Sequence, residues 1–119
     1  MFQEASMHYR VTVAYTAQYT DPIAFHNGDE LVVTDRRDNW KGWTWVWCIN
    51  QHGKEGWVPD DMIRIDGMRG IALADYSAVE LTAGVSDILT ALNETHGWLW
   101  ARNKEGQIGW IPRENVEPI

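Results

Sequence analysis

Apolar and polar residues alternate along this chain in short runs broken by turn signals, and almost nowhere with the three-to-four-residue period of a helix. Residues 10–15 (R-V-T-V-A-Y) read as a half-buried strand, and Leu31 to Thr34 as a second one. Between them, Asp21-Pro22 and Asn27-Gly28-Asp29 are turn signals on either side of Ile23 to Phe25. Residues 35–42 (D-R-R-D-N-W-K-G) carry no apolar alternation and are expected to be a polar loop. Trp43 to Ile49 predicts a strand with one aromatic face. Asn50 to Gly53 predicts a tight turn, and Lys54 to Val58 the returning strand. Asp60 to Met62 predicts a single 3₁₀ turn after Pro59, and Ile63 to Ile65 a closing strand.

The same order then repeats. Ile71 to Tyr76 and Ile88 to Leu92 predict strands, Asn93 to Gly97 a loop, and Trp98 to Arg102 with Gln107 to Ile111 a hairpin turning at Asn103 to Gly106. Arg113 to Asn115 predicts a 3₁₀ turn before Val116 to Pro118. The hairpins align without a gap at an offset of 53 residues, pairing Trp45 with Trp98, Trp47 with Trp100, Trp57 with Trp110 and Pro59 with Pro112. Repetition at a fixed period marks two copies of one folding unit. Two domains are therefore expected, residues 8–66 and 69–119, joined by Asp66-Gly67-Met68-Arg69, a spacer that spans at most about 14 Å.

Charge removes several function classes. The chain of 119 residues carries a net charge of −7, and the acid is shared between the two copies. Nucleic-acid affinity needs clustered Lys and Arg, and an anionic membrane attracts the same groups, so neither partner is expected. The single cysteine permits no internal disulfide. The first residues (M-F-Q-E-A-S-M) lack the basic and apolar regions of a signal peptide, and a cytoplasmic address is expected. The four histidines are dispersed, without metal-ligand spacing. No phosphate loop, nucleophile elbow or catalytic carboxylate pair is present, so neither catalysis nor a cofactor is expected.

Four motifs in a fixed order, each present twice, resemble the SH3 family over about residues 9–118. V-T-V-A-Y (Val11 to Tyr15) and A-L-A-D-Y (Ala72 to Tyr76) are similar to its opening strand. P-I-A-F-H-N-G-D (Pro22 to Asp29) and E-L-T-A-G-V-S-D (Glu80 to Asp87) match its second segment. Trp45 to Cys48 and Trp98 to Ala101 match its Trp strand, and Gly53 to Ile63 and Gly106 to Val116 its ending. The resemblance extends to small prokaryotic proteins with two such domains. It implies an all-β fold of two tandem SH3-like five-stranded small barrels, packed together through the short linker. It also implies a non-catalytic, adaptor-like function: an aromatic groove that recognises an extended, Pro-containing peptide with the help of an acidic loop.

By that resemblance the peptide-binding residues are Tyr15, Asp21, Trp45, Trp57 and Pro59 in the first copy, and Tyr76, Glu80, Trp98, Trp110 and Pro112 in the second. Pro59 and Pro112 equally suit the end of a strand, and each Trp equally suits packing. Two family aromatics are replaced in each copy: the first-strand Tyr by Val13 and Ala74, the closing Tyr by Met62 and Asn115. The first copy keeps the longer acidic loop and adds Trp40 and Trp43, so it is expected to carry most of the binding. The expected partner is a protein or peptide, proline-rich in the form the resemblance implies, and the chain itself a monomer or weak homodimer. Two other readings stand beside it. One is a structural or regulatory subunit whose grooves are buried between the two domains. The other is an aromatic-cage reader of a methylated or quaternary ammonium group.

Overall fold

The computed structural model describes residues 7–119, so the reading of the N-terminus as lacking a signal falls largely on residues outside the described part. The first half contains β1 (His8–Val11), β2 (Ala24–Phe25), β3 (Glu30–Trp40), β4 (Trp43–Ile49), β5 (Glu55–Pro59) and β6 (Ile63–Asp66). The second contains β7 (Arg69–Ala72), β8 (Tyr76–Ser77), β9 (Ile88–Thr95), β10 (Trp98–Arg102), β11 (Ile108–Pro112) and β12 (Val116–Pro118). One 3₁₀ turn, Asp60–Met62, precedes β6, and another, Arg113–Asn115, precedes β12. The fold is all-β, as the strand periodicity predicts. No helix among the described residues is long and apolar enough to cross a membrane.

Two five-stranded sheets share one topology. Their orders are β5-β4-β3-β7-β6 and β11-β10-β9-β1-β12. Each is an open SH3-like ladder. The hairpins β4–β5 and β10–β11 have identical registers: Trp45 faces Pro59 and Trp47 faces Trp57, just as Trp98 faces Pro112 and Trp100 faces Trp110. Their turns are also built alike. The Asn50 side-chain oxygen accepts the amide N–H groups of His52 and Lys54 at 2.9 and 3.0 Å. That of Asn103 accepts those of Glu105 and Gln107 at 3.1 and 2.9 Å. An Asn holding its own turn in this way explains why the hairpin repeats without a gap.

Compact units do not follow the sequence copies. Residues 19–79 form one unit, and residues 7–18 with 80–119 form the other. The opening strand of each copy pairs within the unit built from the other copy. β7 lies between β3 and β6, with Leu31 opposite Gly70 and Ile63 opposite Ala72. β1 lies between β9 and β12, with Tyr9 opposite Leu89 and Val11 opposite Val116. The Asp66–Arg69 segment, expected to link two domains, is the tight turn of the β6–β7 hairpin, with Asp66 opposite Arg69 and Gly67 at φ 62.

The polar stretch 35–42 also differs from expectation. It is the outer part of a hairpin, pairing Arg37 with Val46 and Trp40 with Trp43. Lys41 at φ 52 and Gly42 at φ 87 supply the two left-handed residues that suit a two-residue hairpin turn. His96 and Gly97, at φ 51 and 81, turn β9 into β10 in the same way. The opening strand, expected to reach Tyr15, ends at Val11 because the amide N–H groups of Thr12 and Val13 are taken by the Asn115 carbonyl at 2.8 and 3.2 Å.

In the discontinuous unit the core is Val11, Leu81, Ala83, Leu89, Ala91, Leu99, Ala101, Ile111 and Val116, with Tyr9 and Tyr15 packed against it. In the continuous unit the inward residues of β4 and β5 are Val46, Cys48 and Val58, all buried. Alternation along those strands leaves the tryptophans and prolines on the opposite face.

Candidate functional site

Each hairpin therefore presents two cross-strand pairs on its outer face: Trp45 with Pro59 and Trp47 with Trp57 in the continuous unit, Trp98 with Pro112 and Trp100 with Trp110 in the other. The two faces differ in what stands over them.

In the discontinuous unit Tyr15 meets Trp98 edge to face, with ring centroids 5.6 Å apart and an interplanar angle of 83°. Both rings are half-buried. An edge-to-face pair of this kind is stabilising beyond its buried area. Trp100 and Trp110 stand 4.9 Å apart, and Trp110 and Pro112 are buried. A backbone tie fixes Tyr15: its amide N–H donates to the Ala83 carbonyl and its carbonyl accepts from Ala83, both at 2.9 Å. Asn115, where the family has Tyr, is buried and donates from Nδ2 to the Val13 carbonyl at 3.1 Å. This position thus anchors the segment leading to Tyr15 and forms no aromatic wall. Glu80 is half-buried, and its carboxylate accepts the Gln18 amide N–H at 2.7 Å.

In the continuous unit the burial is distributed differently, with Trp57 half-buried where Trp110 is buried. Trp45, Pro59 and Tyr76 are all buried. Tyr76 packs on Phe25 with centroids 5.5 Å apart, and its hydroxyl donates to the Trp57 carbonyl at 3.0 Å. Asp21 is exposed and forms an ion pair with Lys54. Trp40 and Trp43 form the cross-strand pair beside the β3–β4 turn.

The structure thus regroups the sequence-derived residues. Tyr15 belongs with Glu80, Trp98, Trp110 and Pro112, and Tyr76 with Asp21, Trp45, Trp57 and Pro59. Sequence order groups each opening tyrosine with the tryptophan and proline of its own copy. The exchange of β1 and β7 carries each tyrosine to the other set.

Sequence reasoning placed Arg36 in a polar loop and gave it no role. Its guanidinium carbon stands 4.2 Å from the Trp47 ring centroid and 5.3 Å from that of Trp57, over two indoles themselves 5.1 Å apart at 80°. A signal was present: eleven residues separate Val33 from Trp45, whereas six separate Ala91 from Trp98. Cys48 matches Ala101, and burial pushes its thiol up to about 11, against a smaller opposing effect of Arg37. A thiol so raised stays protonated at neutral pH and is a poor nucleophile.

Strand order, the 3₁₀ turn before the last strand and the Trp-Gly-Trp-Pro hairpin together define an SH3-like, all-β class. Residues 8–66 match the family described as the variant SH3 domain. Such a domain is a protein-binding module. No curated protein and no solved structure matches the chain. The family match follows sequence order and includes β1, whereas the sheet built on residues 19–79 takes β7 in its place.

Proposed function

We propose that this chain is a non-catalytic protein-binding module with two SH3-like units, and that its principal ligand face is the one carrying Tyr15 and Trp98. The ligand is an extended, Pro-containing peptide segment. The observation supporting this reading most directly is the half-buried, edge-to-face Tyr15–Trp98 pair. Its counterparts Trp45 and Tyr76 are each buried. A proline ring lies well against a broad aromatic face, and the indole N–H suits the carbonyls of a polyproline II segment. The preference for this face reverses the expectation that the first copy's hairpin carries the binding. Burial of Trp45 and Tyr76, against half-buried Trp98 and Tyr15, favours a supporting role for the continuous unit.

The test is a nuclear magnetic resonance titration of the full chain with Pro-rich peptides. The Trp98 indole signal is expected to move and that of Trp45 to stay. Trp98→Ala is expected to weaken binding about tenfold or more, as loss of an aromatic anchor does. Movement at Trp45 with none at Trp98 overturns the assignment.

A further inference from the structure

We propose that the Trp47–Trp57 pair is a receptor for an arginine side chain of a partner protein, and that Arg36 is its built-in competitor. This site is separate from the Tyr15–Trp98 face and does not rest on that reading. It starts from a local irregularity. The β3–β4 ladder passes from Val33 opposite Cys48 to Arg37 opposite Val46, so Thr34, Asp35 and Arg36 bulge out against the single residue Trp47. In the other sheet the ladder passes from Ala91 opposite Ala101 to Asn93 opposite Trp100, and only Leu92 bulges.

Thr34 secures the longer bulge. Its hydroxyl donates to the Trp47 carbonyl at 2.7 Å and accepts the Arg36 amide N–H at 3.3 Å. Extra residues at a bulge re-aim a side chain, and here the side chain brought over the aromatic face is a guanidinium.

The walls have the right chemistry. Two indoles at 80° offer one guanidinium two ring faces or edges at once. The Glu55 carboxylate accepts the Trp47 indole N–H at 2.8 Å, which fixes that ring and sets a negative charge at its rim. The position of Arg36 shows that a guanidinium fits. Its hold is weak, however: among the described residues Arg36 forms no ion pair, and its side chain is exposed. Cation–π attraction at an exposed site is modest. An arginine on a partner brings its own backbone and neighbouring contacts, which Arg36 cannot add. The apparent affinity for such a ligand scales with the fraction of molecules in which Arg36 has left the site, and the size of an exposed cation–π term makes the reduction about three- to sixfold.

The experiment uses the full chain and a short Gly-Ser peptide carrying one Arg, with citrulline and trimethyllysine versions of the same peptide. The indole signals of Trp47 and Trp57 are followed in the wild type, Arg36→Ala and Arg36→Gln. Both variants are expected to bind the Arg peptide about three- to sixfold more tightly than the wild type does. The shifts should be confined to Trp47 and Trp57, and the uncharged citrulline peptide should produce none. Unchanged affinity in both folded variants overturns the proposal, as does preference for trimethyllysine over Arg. Shifts at Trp98 with this peptide report on the other face and leave Trp47 and Trp57 as the deciding signals.

Discussion

The sheet built on β3 and the sheet built on β9 solve one packing problem with opposite pairs of residues. At equivalent places the first has Val33 beside Gly70, and the second has Ala91 with Tyr9. The amide N–H of Val33 donates to the Met68 carbonyl at 2.8 Å, and that of Ala91 to the Met7 carbonyl at 2.6 Å, so the backbone frames correspond. A Cβ on Gly70 would lie 2.8 Å from a Val33 methyl. Tyr9 packs against the cluster that contains Leu89 and Ala91. Each sheet thus sets its larger side chain beside a small residue or none. Return of each opening strand to the sheet of its own copy would set Tyr9 against Val33 and Gly70 against Ala91: a clash in one sheet and a void in the other. Overpacking and cavities both destabilise. Side-chain size therefore favours the exchange of β1 and β7, although the backbone hydrogen bonds are alike in both sheets.

The sharpest way to break the comparison lies at two glycines in equivalent hairpin positions. A Cβ on Gly109 would lie 2.7 Å from the Glu80 carbonyl carbon and 2.8 Å from the Leu81 nitrogen. That backbone is held by the Leu81 amide N–H donating to the Trp110 carbonyl at 2.8 Å. A Cβ on Gly56 would lie 2.7 Å from a methyl of the Ile23 side chain. Backbone yields less readily than a side chain. Gly109→Ala is expected to lose about 3 kcal/mol or more, and Gly56→Ala about 1–2 kcal/mol, in urea unfolding. Equal losses would show that the two hairpins meet the same resistance despite different neighbours.

The size-matching argument has its own cycle. Gly70→Ala is expected to cost about 2 kcal/mol because of the Val33 methyl. Val33→Ala removes that methyl and has its own cavity cost. In the double variant the two losses should fall short of additive by about 1 kcal/mol, since residues in contact couple. Additivity within experimental error would sink the claim that Val33 is what excludes a side chain at position 70. Ala91→Val probes the other sheet, where Tyr9 is the residue to be crowded.

Local chemistry was legible in the sequence, and partner choice was not. The hairpins, their Asn turns and both 3₁₀ turns depend on contacts a few residues apart, so the gap-free offset revealed them. The β1 partners lie far along the chain, with Val11 opposite Val116, and the two opening motifs look interchangeable until Tyr9 and Gly70 are compared. Residues 35–39 are exposed throughout. With no core-facing side they show no alternation, and a strand there reads as a loop. The tryptophan positions were visible at once, but burial of Trp45 and Pro59 was not, because alternation gives the face of a residue and not what covers it.

The smallest expected effect distinguishes the two cores by pH. Cys48 and Ala101 are equivalent and both fully buried, but only Cys48 titrates. Its thiol pKa is raised from 9.0 to about 11, mainly by burial. Folded and unfolded chains both hold the proton below pH 9, so stability there is unaffected by this group. Between about 9 and about 11 the unfolded chain releases the proton and the folded chain keeps it, and stability falls as pH rises through that window. The loss attributable to the thiol is about 1 kcal/mol at pH 10. Cys48→Ala makes the two cores alike at this position and removes the term, while other titrating groups contribute equally to both proteins. Urea midpoints of the wild type and the variant are therefore expected to run parallel up to pH 9 and to draw apart above it, the wild type falling faster. Parallel curves through pH 11 would mean that the thiol ionises as readily in the folded core as in the unfolded chain, and that position 48 is less sealed from water than position 101.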